Sequence, residues 1–307
     1  MLQDDVAGIA RAAEVLRGGG LLALPTETVY GLAADAMNGP AVARIFEAKG
    51  RPTFNPLIVH VLSLEAAEDL VVFDDTARAL AAAFWPGPMT LVLPSRGRVA
   101  DLVSGGLETV AVRVPAHPLA RAVLDAFGGP VAAPSANPSG QISPTLARHV
   151  AAGLGAAVDA ILDGGACGVG LESTILAPSA QGVRLLREGG VSREAVEAVA
   201  SPVVADLTPG RVEAPGQMER HYAPRTQLVL GGAANPGEIT IGFGDTAGDF
   251  SLSERGDLTE AAVRLFATLH AADAEAIARG AEVIRVADVP EVGLGRAIND
   301  RLRRAAR

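Results

Sequence analysis

Residues 21–36 read LLALPTETVYGLAADA. Leu21, Leu22, Ala23 and Leu24 form an unbroken apolar run, the pattern of a strand covered on both faces. Pro25 ends it, because proline has no N–H to give a ladder. Thr26, Glu27 and Thr28 follow at once, two hydroxyls around a carboxylate at the end of a core strand, and then Tyr30-Gly31 leads back into apolar sequence. The rest of the chain repeats this arrangement of core strands that end in small polar loops.

Working outward, residues 4–17 have helical spacing (Val6, Ile9, Ala13, Leu16) and stop at Gly18-Gly19-Gly20. GPAVARIFEAKG predicts a short helix with Pro40 near its start and Gly50 past its end. PLIVHVL (56–62), MTLVLP (89–94) and TVAVRVP (109–115) predict strands, with helical patterns at 63–70 and 74–85 between them. HPLARAVLDAFGG predicts a helix, PVAAPSA (130–136) a short strand, and SPTLARHVAAGLG a helix with Ser143 as N-cap. AVDAILDGG, STILAPS and GVRLLREGG predict three more strands, closed by the helix SREAVEAVA. Adjacent strand pairs among the helices favour a mixed α/β sheet over a purely parallel one. A proline-rich, aperiodic stretch after residue 204 marks a linker over 205–226. QLVLGG, EITIGFG, a long helix over 258–279, AEVIRVADV and a final helix GRAINDRLRRAA then predict a small α/β domain over 227–307.

Composition narrows the function. With 307 residues, 49% hydrophobic and 20% charged, the chain can build two packed domains. No apolar run reaches the ~18 residues of a membrane span. The amphipathic, acidic start is unlike a secretory leader, which points to a cytoplasmic protein without membrane attachment. One cysteine, Cys167, excludes an internal disulfide and a cysteine-clustered zinc site; it reads as a small buried apolar residue. A net charge of −9 disfavours general attraction to nucleic acid, and the basic tail RLRRAAR reads as a solvated helix face. Of the 26 cations, Lys49 is the one lysine.

There is no P-loop and no G-x-S-x-G elbow. GLGRAI (293–298) reads as a helix start rather than a dinucleotide turn, and the five histidines lack metal-binding spacing. What remains is five polar strand ends. In KGRPTFNP, Lys49 and Arg51 lie two apart on a loop stiffened by Pro52 and Pro56, and two adjacent cations suit an anion such as phosphate. APSANPSGQISP (133–144) offers uncharged hydroxyls and backbone N–H groups running into a helix N-terminus. ESTI (172–175) and LLREGG, with Arg187 at the end of its strand, complete the set. Together they predict a site for a nucleotide and a small anion.

PTETVYGL, KGRPTFNPLIVHV, WPGPMTLVL, VAVRVPAHP, APSANPSGQISPT, ESTI and LLREGG resemble, in this order, the catalytic domain of YrdC-like threonylcarbamoyl-AMP synthases. The tail from GQMERHYAPRT to GLGRAINDRLRRAA resembles the C-terminal domain of the two-domain members. The resemblance implies a twisted mixed α/β sheet around a large concave cavity over residues 1–204, followed by a small Rossmann-like domain. It implies a nucleotidyltransferase that converts L-threonine, bicarbonate and ATP, with Mg2+ carried mainly by the ATP, to L-threonylcarbamoyl-AMP and diphosphate. The product would pass to the tRNA threonylcarbamoyl transferase machinery that modifies adenosine 37, with tRNA contacts weak or indirect.

The family's ligand positions imply that Arg51, Asn55, Thr109, Ser135, Ser143, Arg187 and Tyr222 hold ATP. They imply that Thr28, His60, Arg113, the Ala133 backbone and Ser173 hold threonine. Lys49 and Arg51 would stabilise phosphate charge, and His60 is the candidate for the proton of the amine, with a binding role the alternative. Tyr222 and His221 lie in the linker, which is expected to cover the cavity mouth as a lid. Two rivals stand beside this reading: a carbamoyl transfer module like that of hydrogenase-maturation enzymes, and an RNA-binding module using the basic cavity.

Overall fold

The structure, a computed structural model, describes residues 1–205, 213–216 and 221–307, so part of the predicted linker (206–212 and 217–220) lies outside the described residues. Ten strands form the first sheet: β1 (Leu22–Leu24), β2 (Gly31–Asp35), β3 (Ile58–His60), β4 (Met89–Pro94), β5 (Thr109–Arg113), β6 (Val131–Ala132), β7 (Ala160–Ile161), β8 (Thr174–Ser179), β9 (Gly182–Arg187) and β10 (Val203–Ala205). Their spatial order is β10-β9-β8-β4-β5-β3-β6-β2-β1-β7. β3 and β5, β4 and β8, β1 and β7, and β9 and β10 pair in parallel, and the remaining pairs are antiparallel. The sheet is therefore mixed. β2 was not foreseen: GLAAD turns back from the PTET loop and pairs antiparallel with β1, Leu24 opposite Gly31.

Helix ends follow local chemistry. The helix Gly39–Lys49 starts where the Asn38 side chain accepts from the Ala41 N–H (3.2 Å) and stops at Gly50, whose φ of 59° suits glycine. This cap keeps Lys49 inside the last helical turn rather than on the following loop, a correction to the sequence reading. A second correction concerns Ser143. The helix begins at Ala147 with no side-chain cap, and the Ser143 hydroxyl is given to Glu172 instead.

The second sheet contains β11 (Gln227–Leu230), β12 (Ile239–Gly242), β13 (Phe250–Ser251) and β14 (Val283–Val286), in the order β11-β14-β12-β13 and paired in parallel. Its long helix Leu258–Arg279 is capped by the Asp257 carboxylate and closed by Gly280. The two domains share an apolar cluster: Val29, Ile142 and Leu171 from the first pack with Tyr222 and with Leu265, Phe266 and Ile298. Contact is close enough that a Cβ on Gly170 would lie 2.4 Å from the Ala262 carbonyl oxygen. Among the described residues, no helix is long and apolar enough to cross a membrane.

Candidate active site

The PTET turn exists to hold Arg113. Thr26 Oγ1 donates to the Val29 carbonyl (2.6 Å), so the hydroxyl hydrogen of Thr28 serves the 2.8 Å contact between the two threonines. Thr28 Oγ1 then accepts from Arg113 Nη1 (3.0 Å), Glu27 Oε1 accepts from Nη2 (2.5 Å), and the Gly87 carbonyl accepts from Nε (3.1 Å). Arg113 is buried at the end of β5, and the β3–β5 register sets it beside His60. Alternation along TVAVR did not reveal this, since alternate residues face solvent only where one side of a sheet is bare. Burial alone would raise the pKa of Glu27, but Arg113 outweighs it and holds the carboxyl below the usual range.

Arg51 and Arg187 form the other half. Arg51 donates to the Asn55 backbone carbonyl, to Asn55 Oδ1 (2.7 Å) and to the Pro56 carbonyl. Arg187 donates to the Ser173 carbonyl (2.8 Å) and hydroxyl and to the Pro215 carbonyl. Among the described residues neither has a carboxylate on its fork, and burial together with the nearby Arg187 lowers the pKa of Arg51 to about 10. His221 is held well below its usual value by burial and then by Lys49, Arg51, Arg187 and Arg301. Positive charge is thus concentrated on this side of the site, with Glu172 the carboxylate nearby among the described residues.

These side chains enclose a cavity of about 40 Å3, lined by Thr28, Arg51, His60, Arg113, Ala133, Ser135, Ser173 and Arg187 and roofed by Pro215, Gly216, His221 and Tyr222. A water needs about 10–15 Å3 of such space, so the expected concave cavity is present with room for a few waters. His60 Nδ1, His221 Nδ1 and the Tyr222 hydroxyl are buried without a hydrogen-bond partner, as is Asn55 Nδ2 behind Arg51. Buried polar groups are almost always paired, and three such atoms on one cavity make it the candidate ligand site, with predicted Asn55 outside the lining.

Several predicted residues lie elsewhere. Lys49 does not line the cavity. Its buried ammonium donates to the carbonyls of Ser135 (2.5 Å) and Asn137, fixing the APSAN loop from behind. Burial and Arg51 push its pKa well down. Ser143 Oγ donates to Glu172 Oε1 (2.6 Å) behind the wall. Thr109 opens β5 opposite Pro94, four residues from Arg113 and so about 13 Å along the strand, and is outside the lining. The basic tail is a solvated face only in part: Arg303 and Arg307 are exposed, but Arg301 is fully buried, and its Nε donates to Glu172 Oε2 at 3.0 Å. Sequence spacing gave no sign of this pairing between residues 129 positions apart.

Burial, and secondarily Arg113, lowers the pKa of His60 to about 3. So weak a base is poorly suited to the proton of a substrate ammonium, which favours the binding alternative for His60. Between pH 6.5 and 3 the unfolded chain binds a proton at this residue that the native chain refuses, so stability falls as pH drops below 6.5. The loss reaches up to about 1.4 kcal/mol per pH unit. Thermal melting should show a decline from pH 7 to 5 that His60→Gln partly flattens; an identical pH profile would contradict it.

Comparison with known proteins fits this geometry. A ten-stranded mixed sheet with an arginine-lined cavity, joined to a small parallel sheet, is a two-domain α/β architecture. The chain belongs to the Sua5/YrdC family of threonylcarbamoyl-AMP synthases. A family model described as "Telomere recombination" (Sua5, YciO and YrdC) matches residues 14–189, and one described as "Threonylcarbamoyl-AMP synthase, C-terminal domain" matches residues 191–307. A threonylcarbamoyl-AMP synthase of Bacillus subtilis is 40% identical over 97% of this chain and 92% of its own length. One of Pyrococcus abyssi is 40% identical over 96% and 93%. The crystal structure of P. abyssi Sua5 complexed with L-threonine matches with a TM-score of 0.91 and 38% identity, covering 99% of this chain and 96% of that one.

Proposed function

We propose that the chain converts L-threonine, bicarbonate and ATP to L-threonylcarbamoyl-AMP and diphosphate. The observation that carries this reading is the pair Arg51 and Arg187, buried without carboxylate partners among the described residues, beside a pocket bounded by Thr28, His60, Arg113 and Ser173 in a chain of this family. The threonine amine condenses with bicarbonate, water is lost, and the carbamate oxygen bonds to the α-phosphorus of ATP. The bond from that phosphorus to the oxygen bridging to the β-phosphate breaks, and pyrophosphate leaves.

The chain's contribution is position and charge. Each Nη of Arg113 has one N–H beyond those given to Thr28 and Glu27, so the fork can still take a carboxylate. His60 Nδ1, buried in the lining without a partner among the described residues, is an acceptor for the threonine ammonium or hydroxyl. Arg51 and Arg187 meet the phosphates, and Ser135 and the Asn55 amide border them. Holding the reactants in register lowers the barrier by up to about 7–11 kcal/mol in favourable systems. Mg2+ enters as part of the substrate MgATP. Among the described residues no three His, Cys, Asp or Glu side chains gather to hold a metal, and the one carboxylate facing the phosphate side, Glu172, is already engaged by Ser143 and Arg301.

A 40 Å3 cavity does not admit a nucleotide, so the roof of 213–216 and 221–222 opens for entry and closes over the carbamate and adenylate, which water would destroy. Delivery of the adenylate to a tRNA-modifying transferase in the cytoplasm completes the reading.

Pyrophosphate release from ATP tests the function. It requires both threonine and bicarbonate; release that ignores either one refutes the reaction. His60→Gln should keep kcat within about three-fold and raise KM for threonine about ten-fold, the loss of roughly one hydrogen bond of 1.4 kcal/mol. A collapse of kcat with unchanged KM would restore the base role.

A further inference from the structure

We propose that Arg301 is a positioning residue for the nucleotide half of the site: by fixing Glu172, and through it Ser143, it makes that half complete only while the small domain is docked. The inference rests on the ATP-binding role proposed above. Arg301 belongs to the last helix, Leu294–Ala305, in the small domain, and is the largest side chain that is fully buried. Its Nη1 donates to the Glu188 carbonyl (2.6 Å) and to Asp300 Oδ2 (3.1 Å), and its guanidinium lies over the Tyr222 ring, 5.3 Å from the centroid. Its Nε donates to Glu172 Oε2 at 3.0 Å, and the other carboxylate oxygen accepts from Ser143 Oγ at 2.6 Å.

Glu172 lines the cavity that Arg51 and Arg187 line. A carboxylate at that place without Arg301 has two ways to regain a partner, and each harms nucleotide binding. It can turn to Arg187 and take a guanidinium that would otherwise meet phosphate, or remain unpaired and repel the triphosphate. With Arg301 in place both oxygens are occupied by groups outside the cavity, and Arg187 stays on Ser173. Burial by itself would raise the pKa of Glu172, but Arg301, Arg187 and Ser143 together hold it below the usual carboxylate range, so it stays ionised. The same guanidinium supports the Tyr222 ring that roofs the cavity, so domain docking, roof and wall meet at one side chain. The threonine half, built on Arg113, Thr28 and His60, has no contact with Arg301 among those described.

The test uses the full chain with Arg301→Met, Glu172→Gln and the double variant, reading KM for ATP and for threonine in pyrophosphate release and ATP affinity by calorimetry. Arg301→Met should raise KM and Kd for ATP at least ten-fold and change KM for threonine less than two-fold. The double variant should return ATP affinity to within three-fold of Glu172→Gln, because removing the charge removes the harm. A merely structural residue would raise both KM values together and gain nothing from the second change, and that outcome overturns the proposal. So does an unchanged KM for ATP. If Arg301→Met fails to fold, Arg301→Lys serves: it keeps the charge and loses the fork, and should raise KM for ATP alone by a few-fold, no rise overturning the idea. A wild-type chain that binds ATP but shows no threonine-dependent turnover would refute the reaction, while calorimetry of the variants would still decide the role of Arg301.

Discussion

Arg51→Met lowers threonine-dependent pyrophosphate release by at least about 100-fold, with threonine affinity changed less than about three-fold. Removing one group that stabilises developing charge in a water-excluded site costs about 10²–10³ in kcat, and Arg51 is a full charge in such a site. Its fork is held rigidly by Asn55 and Pro56, so no reorganisation accompanies its action, and Arg187 faces the same void without replacing it. Methionine keeps the stem and most of the volume, which separates loss of charge from loss of packing. Calorimetry with ATP and with threonine is the measurement. Equal losses for both ligands would mean that Arg51 is a structural brace, and undiminished turnover would remove it from the site altogether.

The second large effect is at Tyr222, where two substitutions should diverge. Tyr222→Ala removes a fully buried ring that packs on Phe266, His221 and Arg301, and should destabilise the protein by about 3–5 kcal/mol and loosen the docked small domain. Tyr222→Phe keeps the ring and deletes a hydroxyl that has no partner among the described residues. Its melting temperature should therefore not fall, since an unpaired buried hydroxyl contributes no stability. Its KM for ATP should rise about ten-fold if, as proposed, the unpartnered hydroxyl of this lining residue bonds the nucleotide. A phenylalanine variant that melts early with normal KM would reverse the assignment. Burial raises the tyrosine pKa to about 12, so the hydroxyl acts as a neutral donor across the whole working range.

Much of the scaffold was readable from local chemistry. The helix over 258–279 has its predicted bounds because Asp257 and Gly280 supply both caps within the sequence itself. The strand ends bearing Thr28, His60, Arg113, Ser173 and Arg187 converge because each polar residue follows an apolar run that packs in one sheet. Misreadings arose where a residue's partner is distant or where a neighbour overrides propensity. β13, only Phe250–Ser251, is too short to show a period. Ser143 has a capping residue's chemistry, but the helix starts four residues later and its hydroxyl goes to Glu172, a partner 29 positions away.

The sequence by itself determined the alternation of strands and helices, the two-domain plan and the family, because these rest on local periodicity, caps and contiguous motifs. Only the tertiary structure decided that Lys49 braces a loop instead of facing the cavity, that Glu27 sits on Arg113, and that Arg301 crosses between domains to reach Glu172. The reason is physical. A buried charge is stable only beside its partner, and which partner it meets is set by how distant segments pack, which the order of residues along the chain does not record.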